Sequence, residues 1–420
     1  MSELLKGYRV IESSMLLNGA STAVLLADLG ADVVKVESPF LGDYLRTGNM
    51  WFLHVHANKN KRSIAIDLRK PEGRDVFYRL LETADVVVTN AIADKNDKLG
   101  IGYDQLRERK PDIVYCQNTG FGATGPYARI PAHGQMMDSV AGAMPVELDE
   151  EDFTRPRLPD GRTGALFSAG EATATSAVYA AFHIAAALAH RAKTGEGAYI
   201  DVAAADAVIA SAWPAATGGL RRDQERPADA PMPDRRGVAR YQSYETGDHK
   251  FVLFCPEEHK FWTTFCTIVD RPDLLDQAYG IELRREVQAI LRTKTQREWI
   301  DLAIEHGLPI GPIHNDVREV FDDPQIRTRE IFHEAPQRDL GSVVYLGEPA
   351  IVRGQPYEVR YPAPRLGEHT EEILGELGYS AEEIGALAAG HVTTSESGGP
   401  IDAVVDVYGD ESRVRKPADA

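Results

Sequence analysis

The chain has 420 residues, 43% of them hydrophobic and 26% charged, the balance of an ordinary globular protein of roughly two to three domains. With 46 basic against 64 acidic residues the formal charge is −18. That argues against a general attraction to nucleic acid or to an anionic membrane surface, so any polyanionic ligand must find a local basic pocket.

The N-terminal Met1-Ser-Glu-Leu-Leu-Lys6 lacks the basic-then-apolar layout of a signal peptide and runs straight into a strand-like segment. Tyr8 to Glu12 reads as a short apolar strand, Ala20 to Leu29 has helical spacing, and Asp32 to Glu37 is a second apolar strand, giving one βαβ unit. Pro71 opens a helix to Leu81 in the allowed first-turn position, and Asp85 to Thr89 is the strand that follows. Asp112 to Cys116 is another, ending in the turn-rich run Asn118 to Pro126. Strands apolar on both faces that alternate with helices predict a parallel sheet covered on both sides, so residues 1–220 read as a doubly wound α/β domain. The apolar stretch Ala177 to Leu188 is too short to span a membrane, contains His183 and is expected to be a buried helix. Residues 221–237, within a stretch rich in Pro, Arg and Asp, read as a linker. Residues 238–325 mix the strand Phe251 to Phe254 with amphipathic helices at Phe261 to Val269, Glu286 to Leu291 and Arg297 to Glu305, a small α+β domain. From about 330 the chain is loop-rich, with one last helix near Thr370 to Leu377 and a flexible tail over 393–420. The three cysteines, Cys116, Cys255 and Cys266, are odd in number and lack CxxC spacing. This speaks against a disulfide framework or a zinc site and for a reducing, cytoplasmic setting.

Asn18-Gly19-Ala20 between strand and helix, with Glu37 ending the next strand, imitates a nicotinamide-binding unit in which an acid holds a ribose diol. Such a site needs several glycines for close approach to a pyrophosphate, and Gly19 stands alone on this turn. A generic βαβ turn is the reading preferred here, with no NAD and no metal expected.

The run Leu26 to Glu37 resembles the opening signature of CaiB/BaiF-type proteins, the class III CoA-transferases and their α-methylacyl-CoA racemase relatives. Further blocks follow in that family's order: Gly42-Asp43, Asn60 to Leu68, Pro71-Glu-Gly73, Lys98 to Tyr103, Gly120 to Tyr127, Lys193 to Gly197 and Pro362 to His369. The resemblance implies a large Rossmann-like domain built from both chain ends, with residues 326–392 returning to it. It also implies a smaller inserted α+β domain, two chains threaded as interlocked rings, and coenzyme A thioesters with carboxylic acids as substrates. Arg69 and Lys98 follow strand ends, where an open parallel sheet binds ligands, and suit CoA phosphates. The family positions matching them contact CoA, as do those matching Ile66, Asp67, Asn90 and Ala91.

The departures are equally specific. Family transferases use an aspartate about twenty residues before the Lys/Arg-Thr-Gly block as nucleophile. Here Ser168-Ala-Gly-Glu-Ala-Thr-Ala-Thr-Ser176 has no aspartate. One alignment puts Ala172 or Thr173 at that place, and a one-residue shift puts Glu171 there. His133, in Pro131-Ala-His-Gly-Gln-Met-Met-Asp138, matches the base of the family's racemases, and Glu258 resembles the acid beside it. Many transferases have Gln-Ala-Gly-Pro where this chain has Leu17-Asn-Gly-Ala20, and Asn18 could substitute as the amide donor. Ile92 to Asp97 adds acid beside the expected phosphate site. The expected activity is therefore transfer of CoA from an acyl-CoA donor to a carboxylic acid. The chain acts either through Glu171 or as one subunit beside an aspartate-bearing paralogue, and the block Ser38 to Arg46 is similar to subunits of benzylsuccinate-type transferases. A 2-methylacyl-CoA racemase using His133 and Glu258, and a catalytically silent CoA-binding protein, are the alternatives.

Overall fold

In a computed structural model, residues 3–40, 42–46, 50–156, 171–214, 216–217, 220, 238–338 and 340–395 are described. They divide into two compact units, Met1–Leu220 with Arg329–Ala420, and Arg221–Thr328. The linker 221–237, and residues 396–420 of the expected tail, lie outside the described residues.

The first unit is built on strands β1 (Arg9–Ser13), β2 (Asp32–Glu37), β3 (Lys61–Ile66), β4 (Val86–Thr89) and β5 (Val114–Thr119), a short hairpin of β6 (Val146–Leu148) with β7 (Thr154–Pro156), and β8 (Ala198–Ala203). Its helices up to residue 220 include α1 (Leu17–Asp28), α2 (Trp51–Asn58), α3 (Pro71–Glu82), α4 (Lys95–Leu99), α5 (Tyr103–Arg109), α6 (Met136–Val140), α7 (Glu171–Thr194) and α8 (Ala204–Ser211). The central sheet runs in the order Thr393–Thr394, β3, β2, β1, β4, β5, β8. All pairings are parallel except that of Thr393–Thr394 with β3. Val10 pairs with Val33 on one side and Val86 on the other, so strand order reverses between β1 and β4. In an open α/β sheet that reversal leaves a crevice at the carboxyl ends of the strands.

Each face of the sheet has its own core. Ile11, Val34, Ile64, Val87 and Tyr115 pack with Phe77 and Leu80 of α3 and with Ile373 and Leu374 on one side. Val10, Val33, Val88 and Cys116 pack with Leu26 of α1 and Ala180, Ile184 and Leu188 of α7 on the other. The alternation of apolar strands and helices thus gives the parallel sheet that the sequence predicts.

Several elements depart from expectation. β5 continues through Thr119, so Asn118 belongs to a strand rather than a turn. α7 has 24 residues and a mean hydropathy of 1.4 over its most apolar window. It is therefore long and apolar enough to cross a membrane, unlike the twelve-residue stretch read from the sequence, yet it packs Ala180, Ile184 and Leu188 into the sheet core. The stretch after 330 contains an antiparallel hairpin, Phe332–Gln337 with Gly341–Leu346. Ala381–Ala389 forms a helix beyond the one expected to be last. Ser380 and Glu383 close a capping box at its start, a signal present in the sequence.

The second unit has an antiparallel sheet of Gln242–Glu245, Phe251–Phe254 and Ile310–Ile313, with Phe251–Phe254 central. Phe254, Trp262, Phe265 and Trp299 form its aromatic core with the helices His259–Ile268, Ile281–Leu291 and Gln296–His306.

Candidate active site

The crevice between β1 and β4 is bordered by the segment from Ser14 to Asn18. Leu16 has a left-handed φ of 61°, a conformation that a γ-branched side chain adopts only when its surroundings impose it. They do so through the backbone. The Leu16 N–H donates to Asp43 Oδ1 at 3.0 Å, the Ser14 carbonyl accepts from Lys35 Nζ at 3.3 Å, and Asn90 Oδ1 accepts from the Met15 N–H at 3.1 Å. Gly19 is needed for packing: a Cβ there would lie 2.2 Å from Ser14 Cβ. The space that a pyrophosphate would need against this glycine is taken by the chain itself.

Beneath this segment lies a buried ionic lattice. Glu12 is 0% exposed and accepts from Lys35 Nζ and Lys61 Nζ, each at 2.6 Å. Lys35 also meets Asp43 at 2.9 Å, and Arg46 forks onto Glu37 at 2.9 and 2.6 Å. Burial raises the Glu12 carboxyl, but Lys35 and Lys61 outweigh it and hold the group down at about 2. Glu37 is likewise held at about 2 by Arg46 against the opposing effect of burial. Buried charges persist only when paired in this way.

The start of α7 meets the same segment. Thr173 Oγ1 donates to Asn18 Oδ1 at 3.4 Å. Asn118 Nδ2, at the end of β5, reaches Thr22 Oγ1 at 3.1 Å and Ser176 Oγ at 3.3 Å. Glu171 is the first residue of α7 and half-buried, in the first turn where the helix dipole favours a carboxylate. The Ala172 N–H donates to Oδ1 of Asp138, a fully buried residue of α6, at 3.1 Å. Residues 168–170 of the expected nucleophile region lie outside the described residues.

The expected CoA contacts flank the same edge of the sheet. Ile66 and Asp67 are buried at the end of β3. Arg69 forks onto Asp67 at 2.8 and 3.0 Å, and its guanidinium lies 5.1 Å from the ring centre of the exposed Phe40. Its side chain is 69% exposed, so a free face remains for a planar or anionic group. Asn90 spends its side-chain amide on Met15, and the Ala91 N–H donates to Thr89 Oγ1 at 3.1 Å. Lys98, on α4, is exposed and pairs with Asp94 at 3.1 Å. With adjacent strands about 4.8 Å apart, the ends of β3 and β4 are roughly 14 Å from each other, a span that suits an extended ligand better than a compact one. A cleft of about 310 Å³ beyond the end of β4 is lined by residues including Ala91, Asn96, Tyr103 and Gln117. A larger one, about 610 Å³, is lined by residues including Lys70, Arg79 and Tyr379 and by none of the candidate residues.

His133 is exposed, and its imidazole makes no hydrogen bond among the described residues. Glu258 belongs to the second unit, where it precedes the first turn of His259–Ile268 as its N-cap. Among the described residues no group of three or more His, Cys, Asp or Glu side chains is arranged to hold a metal ion.

The sequence pattern of CoA-transferase family III matches residues 5–370. The chain belongs to CoA-transferase family III. It is 32% identical to a succinate–glutarate CoA-transferase of Agrobacterium fabrum over 89% of this chain and 95% of that one. It is 29% identical to the beta subunit of a succinyl-CoA–L-malate CoA-transferase of Chloroflexus aurantiacus, over 92% of this chain and 98% of that one. A crystal structure of a CaiB/BaiF family protein from Brucella suis superposes with a TM-score of 0.70 at 27% identity, covering 90% of this chain and 100% of the other. CoA thioesters are the substrates of this family. In this family III chain Asn90 is tied to Met15 and Asn18 to Thr173, two residues after Glu171, while Arg69 follows β3 and Lys98 lies on α4 after β4.

Sequence reasoning missed Asp138, Asn118 and the lattice under the crevice. The lattice had a legible signal: Lys35 and Glu37 interrupt an apolar strand of a sheet covered on both faces, where an unpaired charge is prohibitively costly. The lattice also explains why β3, with Lys61, Arg62 and Ser63 all buried, does not read as an apolar strand. Asp138 carried no such signal, because its partner is a backbone amide 34 residues away.

Proposed function

We propose that this chain moves CoA between dicarboxylic acids, with Glu171 as the nucleophile. The Glu171 carboxylate attacks the thioester carbonyl of the donor, the C–S bond breaks, and CoA leaves as thiolate to give a mixed anhydride. The thiolate then attacks the glutamyl carbonyl, releasing the donor carboxylate and leaving a glutamyl thioester. The acceptor carboxylate displaces the thiolate to form a second anhydride. Attack of the thiolate on the acceptor's acyl carbon releases the new acyl-CoA and restores Glu171. The observation that carries this reading is the place of Glu171 at the head of the 24-residue helix α7, two residues from the Thr173–Asn18 contact. The dicarboxylate class rests on the succinate, glutarate and malate named in the relatives. Arg69 with Phe40, after β3, and Lys98, on α4, are assigned to the nucleotide end of CoA.

The reading includes an intertwined dimer. Val178 and Phe182 on α7 are 58% and 65% exposed, and Trp213 after α8 is 66% exposed, a distribution that supports a covering surface from a second chain.

The test is incubation with succinyl-CoA, trapping with hydroxylamine or borohydride, and peptide mass analysis. Label on Glu171 is expected. Label found only on an aspartate of a co-purified paralogue would assign this chain the role of supporting subunit. No label, with exchange of the α-proton of a 2-methylacyl-CoA into deuterated water that His133→Ala stops, would establish a racemase.

A further inference from the structure

We infer that Asp138 is a positioning residue for the acyl-transfer step, an inference that rests on Glu171 being the nucleophile. Asp138 is 0% exposed. Its Oδ1 accepts from the N–H of Ala172, the residue bonded to Glu171, at 3.1 Å, and its Oδ2 has no hydrogen-bond partner among the described residues. A carboxyl group buried with one oxygen unpaired among the described residues is an expensive choice if only a packing contact is required, since an apolar side chain of similar size would fill the space without it. The N-terminal end of a long helix is where an acceptor oxygen gains most, because orphan N–H groups and the aligned dipoles both face it.

The surroundings make the contact rigid. Met137 and Ala141, on either side of Asp138 in sequence, pack with Ala172 of α7 and with Ala204, Ala205 and Val208 of α8. On the other side, Thr173 is tied to Asn18 at 3.4 Å. Glu171 therefore precedes two residues that are each tethered to a different part of the fold, Ala172 to α6 and Thr173 to the start of α1. A glutamate reaches one methylene further than the aspartate usual at this place, and an error of about 1 Å in the attacking oxygen costs on the order of a hundredfold in rate. The Asp138 clamp fixes the backbone from which that longer side chain reaches the thioester.

Asp138→Asn keeps an oxygen in place of Oδ1, and Asp138→Ala removes it. Glu171 acylation by succinyl-CoA is followed by hydroxylamine trapping, alongside CoA affinity and the thermal midpoint. Acylation per folded molecule is expected to fall about a hundredfold in Asp138→Ala. Affinity for CoA and KM for succinyl-CoA should stay within about twofold, and Asp138→Asn should restore acylation to within about threefold of the parent. Acylation at the parental rate in folded Asp138→Ala, or a loss of CoA affinity as large as the loss of acylation, overturns the inference. Should the alanine variant not fold, a folded Asp138→Asn that acylates a hundredfold more slowly overturns it equally. If the parent protein itself carries no label on Glu171, the nucleophile reading fails and takes this inference with it, a result distinguishable because no Asp138 variant is involved.

Discussion

Asn90 holds Met15 by both of its backbone groups: Oδ1 accepts from the Met15 N–H at 3.1 Å and Nδ2 donates to the Met15 carbonyl. Asn90 follows β4 and Met15 follows β1, so the contact spans the point where strand order reverses. Asn90→Ala removes two hydrogen bonds that together contribute about 2 kcal/mol. The midpoint of urea unfolding should move accordingly. Because the segment it releases also carries Asn18, acylation should slow by more than CoA affinity falls. Equal losses in the two would place the Asn90 side chain on CoA instead.

Arg69, after β3, and Lys98, on α4 after β4, are exposed cations. Arg69→Ala and Lys98→Ala should each weaken CoA binding about two- to fivefold at low salt, as expected for exposed charges. The difference from the parent should shrink as ionic strength rises. Calorimetric titration with CoA at two salt concentrations measures both effects, and unchanged affinity in both variants removes them from the site.

The lattice under the crevice sets the acid stability of the fold. The Glu12 and Glu37 carboxyls are held at about 2, below the ordinary value of 4.5, so their contribution is fully present above 4.5 and is lost as pH falls towards 2. His56 is pushed down to about 4 by burial and by Lys59. It stays neutral in the fold while the unfolded chain takes up a proton, which removes stability as pH falls from 6.5 towards 4. Stability measured by urea should therefore decline gently below pH 6.5 and steeply below 4.5. Glu12→Gln, which leaves Lys61 without its counter-ion, should cost about 3–5 kcal/mol at pH 7. A flat profile between pH 7 and 4 would contradict the assignment.

Glu171→Gln should lower turnover by at least about a thousandfold with CoA affinity intact, as loss of a nucleophile does. Glu171→Asp is the sharper test. It shortens the side chain by one methylene on a backbone set for glutamate, and turnover should fall on the order of a hundredfold. An aspartate variant as fast as the parent would show that this backbone suits the shorter residue.

Phe182→Asp should weaken assembly, because it puts a charge into the apolar face of α7 that the second chain is proposed to cover. Light scattering after gel filtration of dilute protein should give a dimer for the parent and a smaller species for the variant. A folded parental monomer would contradict the intertwined arrangement.

The sequence by itself determined the sheet and the family. Val10-Ile11, Val33-Val34 and Val86-Val87-Val88 are apolar on both faces, and only a sheet covered on both sides buries them all. Their alternation with helices, together with the ordered blocks from Leu26 to His369, left little choice of architecture. Tertiary structure alone decided which polar groups meet. Glu12, Lys35 and Lys61 are separated by 23 and 26 residues, and Asp138 by 34 from Ala172. Periodicity reports which face of an element is buried but carries no information about partners on other elements. A buried charge is stable only beside its counter-charge, so a sequence can show that Lys35 must be paired, and only the folded chain brings Glu12 and Asp43 to it.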